Sequence, residues 1–144
     1  METFTIYRKA DGAIEGVYSG PKDTIQLQLK DNQYGHRGNY PDNEWYFDLK
    51  DQVMREQPEI PAKLNKTTLK ADGTDSIVIT GLPTNDLNKN PIETEVRVNG
   101  TVYQVSGGEL ELTVDAPGEY RITCRATNHK PLETKVEAHD DDEG

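Results

Sequence analysis

Hydrophobic and polar residues alternate along most of this chain of 144 residues, which is the pattern of strands with one buried face. The clearest stretch is 101–125, which predicts three strands joined by tight turns. Apolar residues occupy every second position in 109–114 and again in 119–125. Between these runs Pro117 presets φ and Gly118 accepts positive φ, so both residues are expected to be structural. The pattern predicts the corner of a β-sandwich.

Residues 63–138 are predicted to form an immunoglobulin-like β-sandwich, because seven short strands are separated by turn signals about every 8–12 residues. Asn99-Gly100 is the dipeptide of a type I′ hairpin. Tyr120 follows the Pro-Gly turn, where a tyrosine corner would let its hydroxyl cap backbone groups. The seven strands are expected at 64–69, 76–80, 93–98, 101–105, 109–114, 119–125 and 133–138.

Residues 1–56 are predicted to form a small β-meander of about five strands, which makes the chain all-β. Asp11-Gly12 predicts a hairpin. The strands are expected at 3–8, 13–18, 25–29, 45–49 and 52–55, with a loop over the Gly-, Asn- and Pro-rich stretch 32–44. So short a unit is marginal alone, so we expect it to depend on a partner or on the following domain.

Two further segments join or end these modules. Residues 57–62 contain Pro58 and Pro61, which predicts a stiff, extended linker, with a Pro-x-x-Pro recognition ligand as the alternative. Residues 139–144 are predicted to be an acidic, solvated tail. A loosely bound divalent cation or a basic partner is the alternative for this tail.

Charge and hydropathy narrow the classes of partner. The 26 acidic and 16 basic residues give a net charge of −10, which argues against nucleic acid and against an anionic membrane surface. The mean hydropathy of −0.85 indicates a lean core. No basic and apolar leader opens the chain and no run approaches the roughly 18 apolar residues of a membrane span, so we expect a protein made in the cytoplasm and not inserted in a membrane.

Residues suited to chemistry are few. The single cysteine, Cys124, excludes an internal disulfide and is expected to be a buried hydrophobe rather than a reactive thiol. The histidines, His36, His129 and His139, lack metal-ligand spacing and are expected to be solvated. The stretch 72–75 lacks the pattern of a calcium loop and is expected to be a β-turn.

The sequence contains no nucleophile elbow, no phosphate-binding glycine loop and no Ser/His/Asp spacing tied to predicted strand ends. We therefore expect no catalytic residue, no metal site, no cofactor and no enzymatic activity.

Half of the ten aromatic residues fall within residues 34–47. Three interpretations stay open: the core of a small domain, an anchor for a protein partner, and a surface that stacks on sugars. The interface hypothesis assigns the contact to Tyr34, Tyr40, Trp45, Tyr46 and Phe47.

Four segments carry a family resemblance: 3–20, 40–61, 66–84 and 98–124. Their shared motifs are Tyr46-Phe47-Asp48, the joint from Pro58 to Pro61, Ala71-Asp72-Gly73, Gly81-Leu82-Pro83, Asn99-Gly100 and Pro117-Gly118-Glu119-Tyr120. In these segments the chain resembles small tail-associated virion proteins of bacteriophages, in which a short β-module precedes an immunoglobulin-like module.

The resemblance implies a non-enzymatic structural subunit of the virion, in the tail, the baseplate or the fibre-attachment region. It implies other virion subunits as partners, several copies in a symmetric assembly, and no catalytic residue or cofactor. The alternatives are a capsid decoration protein, a host-surface or glycan-binding accessory module, and an enzyme fragment or inhibitor. Exposed, coplanar aromatic rings would favour glycan binding, and a partner surface on the head lattice would favour decoration.

Overall fold

The computed structural model describes residues 2–140, and its strands divide between two compact units. Unit 1 comprises the described residues up to Pro58 together with Asn85–Asn90. Unit 2 comprises Glu59–Thr84 and the described residues from Pro91 onward. Apart from one short 3-10 helix, the regular structure of residues 2–140 is strand, so the prediction of an all-β chain is confirmed.

Unit 1 contains a three-stranded antiparallel sheet in the order β2-β1-β3 and a separate hairpin of β4 and β5. Its elements are β1 (Glu2–Arg8), β2 (Ile14–Gly20), a 3-10 helix (Lys22–Gln28), β3 (Gln33–Arg37), β4 (Trp45–Asp48) and β5 (Val53–Glu56).

The strand predicted at 25–29 is wrong, because the 3-10 helix occupies most of this stretch. Pro21 starts the helix, and its carbonyl oxygen accepts hydrogen bonds from the N–H and the hydroxyl of Thr24, at 3.1 and 2.8 Å. Ile25 is buried whereas Leu27 is exposed. The apparent alternation therefore did not mark one buried face.

The third strand of this sheet is β3, which lies inside the stretch 32–44 that was predicted to be a loop. Its buried residue is polar: Gln33 accepts a hydrogen bond from the N–H of Lys30 at 2.9 Å and donates one to Glu15 at 3.0 Å. The sequence of β3, QYGHR, contains no aliphatic residue and does not alternate apolar with polar positions, so sequence periodicity missed this strand.

Unit 2 is an immunoglobulin-like sandwich of two sheets, ordered β10-β9-β12-β13-β7 and β11-β8-β6. Its strands are β6 (Lys63–Leu64), β7 (Thr68–Lys70), β8 (Ser76–Thr80), β9 (Thr94–Val98), β10 (Thr101–Val105), β11 (Leu110–Thr113), β12 (Gly118–Arg125) and β13 (Leu132–His139). All pairs are antiparallel except β7 with β13.

The single strand predicted at 64–69 is two short strands in different sheets. Between them Asn65 forms two hydrogen bonds with the backbone of Val78: its N–H donates to the carbonyl at 3.1 Å, and its Oδ1 accepts from the N–H at 2.8 Å. These bonds let the chain leave one sheet and join the other.

The core of unit 2 is aliphatic and includes Ile77, Ile79, Val96, Ile122 and Cys124, all almost fully buried. Burial raises the pKa of the Cys124 thiol, so the neutral thiol is favoured in the folded chain. Antibody domains place a disulfide cysteine two residues after the corner tyrosine. Here that position is Ile122, so packing replaces the covalent bond.

Tyr120 closes the corner of the sandwich. Its hydroxyl donates a hydrogen bond to the carbonyl oxygen of Ala116 at 2.6 Å. Gly118 has a φ of 142°, a left-handed value that a side chain would strain, and Pro117 is exposed. These contacts form the geometry of a tyrosine corner.

The predicted linker and tail are more ordered than expected at their boundaries. Gln57 is buried in unit 1, and Ile60 belongs to the core of unit 2. His139 is the last residue of β13 rather than part of a tail. Residues 141–144 of the predicted tail lie outside the described residues.

Candidate interaction surface

Six aromatic side chains of unit 1 form a continuous row of ring contacts, which we call the aromatic row. In order of contact its members are Tyr34, Tyr7, Phe47, His36, Tyr40 and Trp45. Successive ring centroids are 6.0, 4.0, 5.4, 5.8 and 5.2 Å apart. Four of these distances lie within the range of about 4.5–7 Å that is typical of aromatic pairs. The shortest, between Tyr7 and Phe47, belongs to a stacked pair.

Strand register puts the first members of the row on one face. In the β1–β3 pair, Tyr7 lies opposite Tyr34, and Thr5 lies opposite His36. Directly opposed residues share a face of an antiparallel sheet, as do residues two apart on one strand. Tyr7, Tyr34 and His36 therefore form one side of the row.

Thr5 positions Tyr40. The Thr5 side chain is fully buried; its hydroxyl donates to the carbonyl oxygen of Gly38 at 2.8 Å and accepts from the N–H of Tyr40 at 2.9 Å. Gly38 has a φ of 115°, and a Cβ there would lie 2.7 Å from the Tyr40 ring. Glycine is therefore needed for the chain to turn and lay Tyr40 beside His36.

Gln57 positions Trp45 in the same way. Its buried side-chain amide donates to the carbonyl oxygens of Asp42 and Trp45, at 2.8 and 2.9 Å. Its backbone N–H donates to Glu44 at 2.8 Å. These three bonds fix the turn that precedes β4 and so fix the indole beside Tyr40.

Asn88 holds the chain around Phe47. Its Nδ2 donates to the carbonyl oxygens of Asp11 and Phe47, at 2.6 and 3.0 Å, and its Oδ1 accepts from the N–H of Leu49 at 2.9 Å. Asn88 belongs to unit 1 although unit 2 strands flank it in sequence. A loop that is distant in sequence thereby fixes the backbone from which Phe47 enters the row.

The structure divides the five residues of the interface hypothesis into two groups. Tyr34 is 51% exposed, whereas Tyr46 and Phe47 are only 7% and 4% exposed. Tyr40 and Trp45 are half-buried. Tyr46 and Phe47 are therefore core residues, as the first of the three interpretations expects for the aromatic cluster. An interface of unit 1 would use Tyr34, Tyr40 and Trp45.

Two members of the row, Tyr7 and His36, were not predicted from the sequence. Tyr7 was not among the residues of the interface hypothesis, yet it is buried within the row. His36 was expected to be solvated but is half-buried, 5.4 Å from Phe47. Only the strand register reveals these neighbours, because β3 itself was not predicted.

Within the row, electrostatics favour the neutral form of Tyr7. Burial and the neighbouring Tyr34 hydroxyl raise the pKa of Tyr7. At the exposed end, the ammonium group of Lys9 lies 4.3 Å from the centroid of the Tyr34 ring. This cation–π contact orders an otherwise exposed tyrosine.

The two half-buried rings at one end of the row, Tyr40 and Trp45, are not coplanar. The planes of Tyr40 and Trp45 are 76° apart. Sugars stack on the faces of rings, so this pair does not supply the coplanar platform that would favour glycan binding. An edge-to-face pair suits irregular contact with protein side chains.

A charged network borders the row on the β4–β5 hairpin. The Arg55 guanidinium donates to Asp48 and Asp51, both at 2.6 Å. Asp48 also accepts the N–H groups of Lys50 and Asp51. The bond from Arg55 and then these N–H groups hold the pKa of Asp48 below its usual range, so the hairpin keeps a fixed ion-pair cluster.

Other candidate sites have structural explanations. Within residues 2–140 no group of three or more His, Cys, Asp or Glu side chains is arranged to hold a metal ion. The Asp72 carboxylate accepts hydrogen bonds from the N–H groups of Thr74 and Asp75, at 2.9 and 2.7 Å, as in a turn. In the described chain no helix is long and apolar enough to cross a membrane.

Comparisons with known proteins assign no family. No protein-family profile and no curated protein matches the sequence. Two crystal structures of glycosyl hydrolase family 2 members from Bacteroides cellulosilyticus, one of them from strain DSM 14838, are similar, with TM-scores of 0.36 and 0.32. Their identities are 11% and 10%; the matches cover 96% and 94% of this chain but only 22% and 23% of those chains. The chain thus spans less than a quarter of those structures.

Proposed function

We propose that this protein is a non-enzymatic structural subunit of a bacteriophage virion, in the tail, the baseplate or the fibre-attachment region, and that it acts through protein–protein interfaces. The aromatic row carries the proposal, because exposed Tyr34 lies at one of its ends and half-buried Tyr40 and Trp45 lie at the other. Hydrogen bonds hold the segments of Tyr40 and Trp45 in place. The sequence resemblance to tail-associated proteins supports the location.

The row has the physical properties of an interface anchor. Tyr and Trp bring large contact area and lose little side-chain entropy on binding. The hydrogen bonds of Thr5 and Gln57 order the segments of Tyr40 and Trp45 before any partner arrives, so binding need not order them. Other virion subunits are the proposed partners, with several copies in a symmetric assembly.

Incorporation into particles tests the proposal. Particles would be assembled by complementation with wild-type protein or with Trp45→Ala, Tyr34→Ala or Val53→Ala, then purified and probed for the protein. Val53 is 40% exposed on β5 and is not a member of the row, so Val53→Ala is the matched control. Truncating an anchor typically costs about 2 kcal/mol or more, roughly a thirtyfold loss of affinity.

We expect wild-type protein and Val53→Ala in the particles, and depletion of Trp45→Ala and Tyr34→Ala. Tyr34→Ala guards against a folding artefact, because this side chain is half-exposed and at the end of the row. Normal incorporation of both folded row variants would contradict the anchor role. Absence of the wild-type protein from purified particles would contradict the virion role itself.

A further inference from the structure

Strand β10 is an open sheet edge without the usual protection. Among residues 2–140 it pairs with β9 alone, over five uninterrupted positions from Thr101 to Val105. Natural edge strands are kept apart by charged residues, proline, bulges or shortness. The sequence of β10, TVYQV, has no charged residue and no proline, so none of these devices is present.

The lack of charge distinguishes β10 from nearly all other described strands. Of these strands only β8 and β10 lack Asp, Glu, Lys and Arg, and β8 lies between β11 and β6. The opposite edge of the same sheet, β7, has three residues and ends in Lys70. The whole stretch 98–108 is free of charged side chains in a chain that is 29% charged.

The hairpin geometry defines which backbone groups of β10 are open. Asn99 and Gly100 have φ values of 47° and 95°, and positive φ at both central residues is the mark of a type I′ turn. In such a turn the flanking residues, Val98 and Thr101, form a hydrogen-bonded pair, and bonded and non-bonded pairs then alternate. The N–H and C=O groups of Val102 and Gln104 therefore point away from β9.

We propose that β10 pairs with β10 of a second copy of this chain, antiparallel about a two-fold axis at Tyr103. In this register Val102 lies opposite Gln104 of the second copy, and the reverse holds across the axis. Four backbone hydrogen bonds form, using all the open groups of these two residues in both copies. The two Tyr103 residues become a non-hydrogen-bonded pair, in which Cα atoms are only about 4.5 Å apart.

Side chains favour the same arrangement. Val102 is 43% and Tyr103 39% exposed, and pairing covers both residues in each copy. No charge lies on either strand, so no like charges are placed opposite each other. On neighbouring β9, Arg97 is level with Val102 and Glu95 with Gln104. Each cross-sheet row therefore has an arginine of one copy on one side of the new pair and a glutamate of the other copy on the other side.

The net charge of −10 opposes association of two copies at long range. Salt screens this repulsion over roughly 10 Å at 0.1 M and leaves the uncharged strand contact intact. Self-pairing should therefore strengthen as salt is added. A basic partner strand bound by charge would show the opposite dependence. This inference does not rest on the virion role.

Sedimentation velocity of the full chain over rising protein and NaCl concentrations tests the inference. The variants are Tyr103→Lys, Tyr103→Glu and an equal mixture of the two, with Val53→Lys and Val53→Glu as matched controls on another exposed strand. Each Tyr103 variant alone places like charges on the two-fold axis, whereas the mixture places opposite charges there.

We expect a wild-type dimer that strengthens with salt, monomers for each Tyr103 variant, a dimer in their mixture, and wild-type behaviour of the Val53 controls. The rescue in the mixture distinguishes lost pairing from misfolding. A wild-type chain that stays monomeric at every salt concentration would overturn self-pairing and leave the edge to a strand of another protein. A dimer that survives Tyr103→Lys, or that Val53→Lys abolishes, would overturn the assignment to β10.

Discussion

The rings of Tyr7 and Phe47 stack in unit 1, with centroids 4.0 Å apart and only 11° between their planes. Tyr7 comes from the first strand of the sheet and Phe47 from the separate β4–β5 hairpin. The stack therefore joins the two β elements of unit 1 and supports the more exposed rings beyond it.

Removing this stack should destabilise unit 1. We expect Phe47→Ala to lower the free energy of unfolding by about 3–5 kcal/mol, as for other buried aromatic truncations. Urea unfolding followed by fluorescence of Trp45, the only tryptophan in the chain, measures this in unit 1. Val53→Ala is the control, and an equal, small effect of both substitutions would contradict the role of the stack.

The buried hydroxyl of Thr5 should stabilise unit 1 through its hydrogen bonds rather than by filling space. Thr5→Val keeps the shape but leaves the N–H of Tyr40 and the carbonyl of Gly38 without this partner. The expected loss is about 1–3 kcal/mol in the free energy of unfolding of unit 1.

Thr3→Val is the matched control for this prediction, because Thr3 lies on the same strand and its hydroxyl bond to Ser19 is exposed. Indistinguishable unfolding midpoints for the two variants would show that Thr5 does not fix the Tyr40 segment.

The Asn88 side chain should stabilise unit 1, although it lies far along the chain from the residues that it bonds. Asn88→Ala removes its hydrogen bonds to Asp11, Phe47 and Leu49. The expected cost is about 2–3 kcal/mol, because each such bond contributes about 1 kcal/mol. Trp45 fluorescence during urea unfolding measures it, with exposed Asn43→Ala as the control. An unchanged Trp45 transition would mean that this loop does not support the unit.

Asp48 should make the hairpin sensitive to acid. Its pKa is lowered in the folded chain, chiefly by the bond from Arg55. An Asp whose pKa is lower in the folded than in the unfolded chain stabilises the folded state at pH values above its unfolded pKa, which is about 4. This contribution is lost as the pH falls through the folded pKa.

Asp48→Asn should therefore show a shallower loss of stability than the wild type below about pH 4. Unfolding midpoints from Trp45 fluorescence across this range measure the difference. Parallel profiles for the two proteins would contradict the predicted contribution.

Local signals predicted much of the fold where apolar residues alternate between strong turns. Ser76–Thr80 is a buried strand because Ile77 and Ile79 face the core, and Asn99-Gly100 forms the hairpin that its dipeptide predicts. Alternation alone failed at Ile25, where Pro21 starts a 3-10 helix. It also failed at β3, whose buried Gln33 is satisfied by hydrogen bonds rather than by apolar packing.

The candidate site was predicted only in part, because its geometry depends on long-range register. The aromatic residues near position 40 were found by composition, but Tyr7 joins them through pairing of β1 with β3, and Asn88 through a loop about 40 residues further along. Burial of Phe47 and exposure of Tyr34 likewise follow from how β4 and β3 pack. A single sequence does not encode these relations locally.

Immunogold labelling of intact particles, with an antibody against residues 63–144, locates the protein in the virion. We expect gold at the tail or at its tip. Gold over the head would replace the tail location with capsid decoration. Free protein in the lysate with no gold on particles would contradict the virion role.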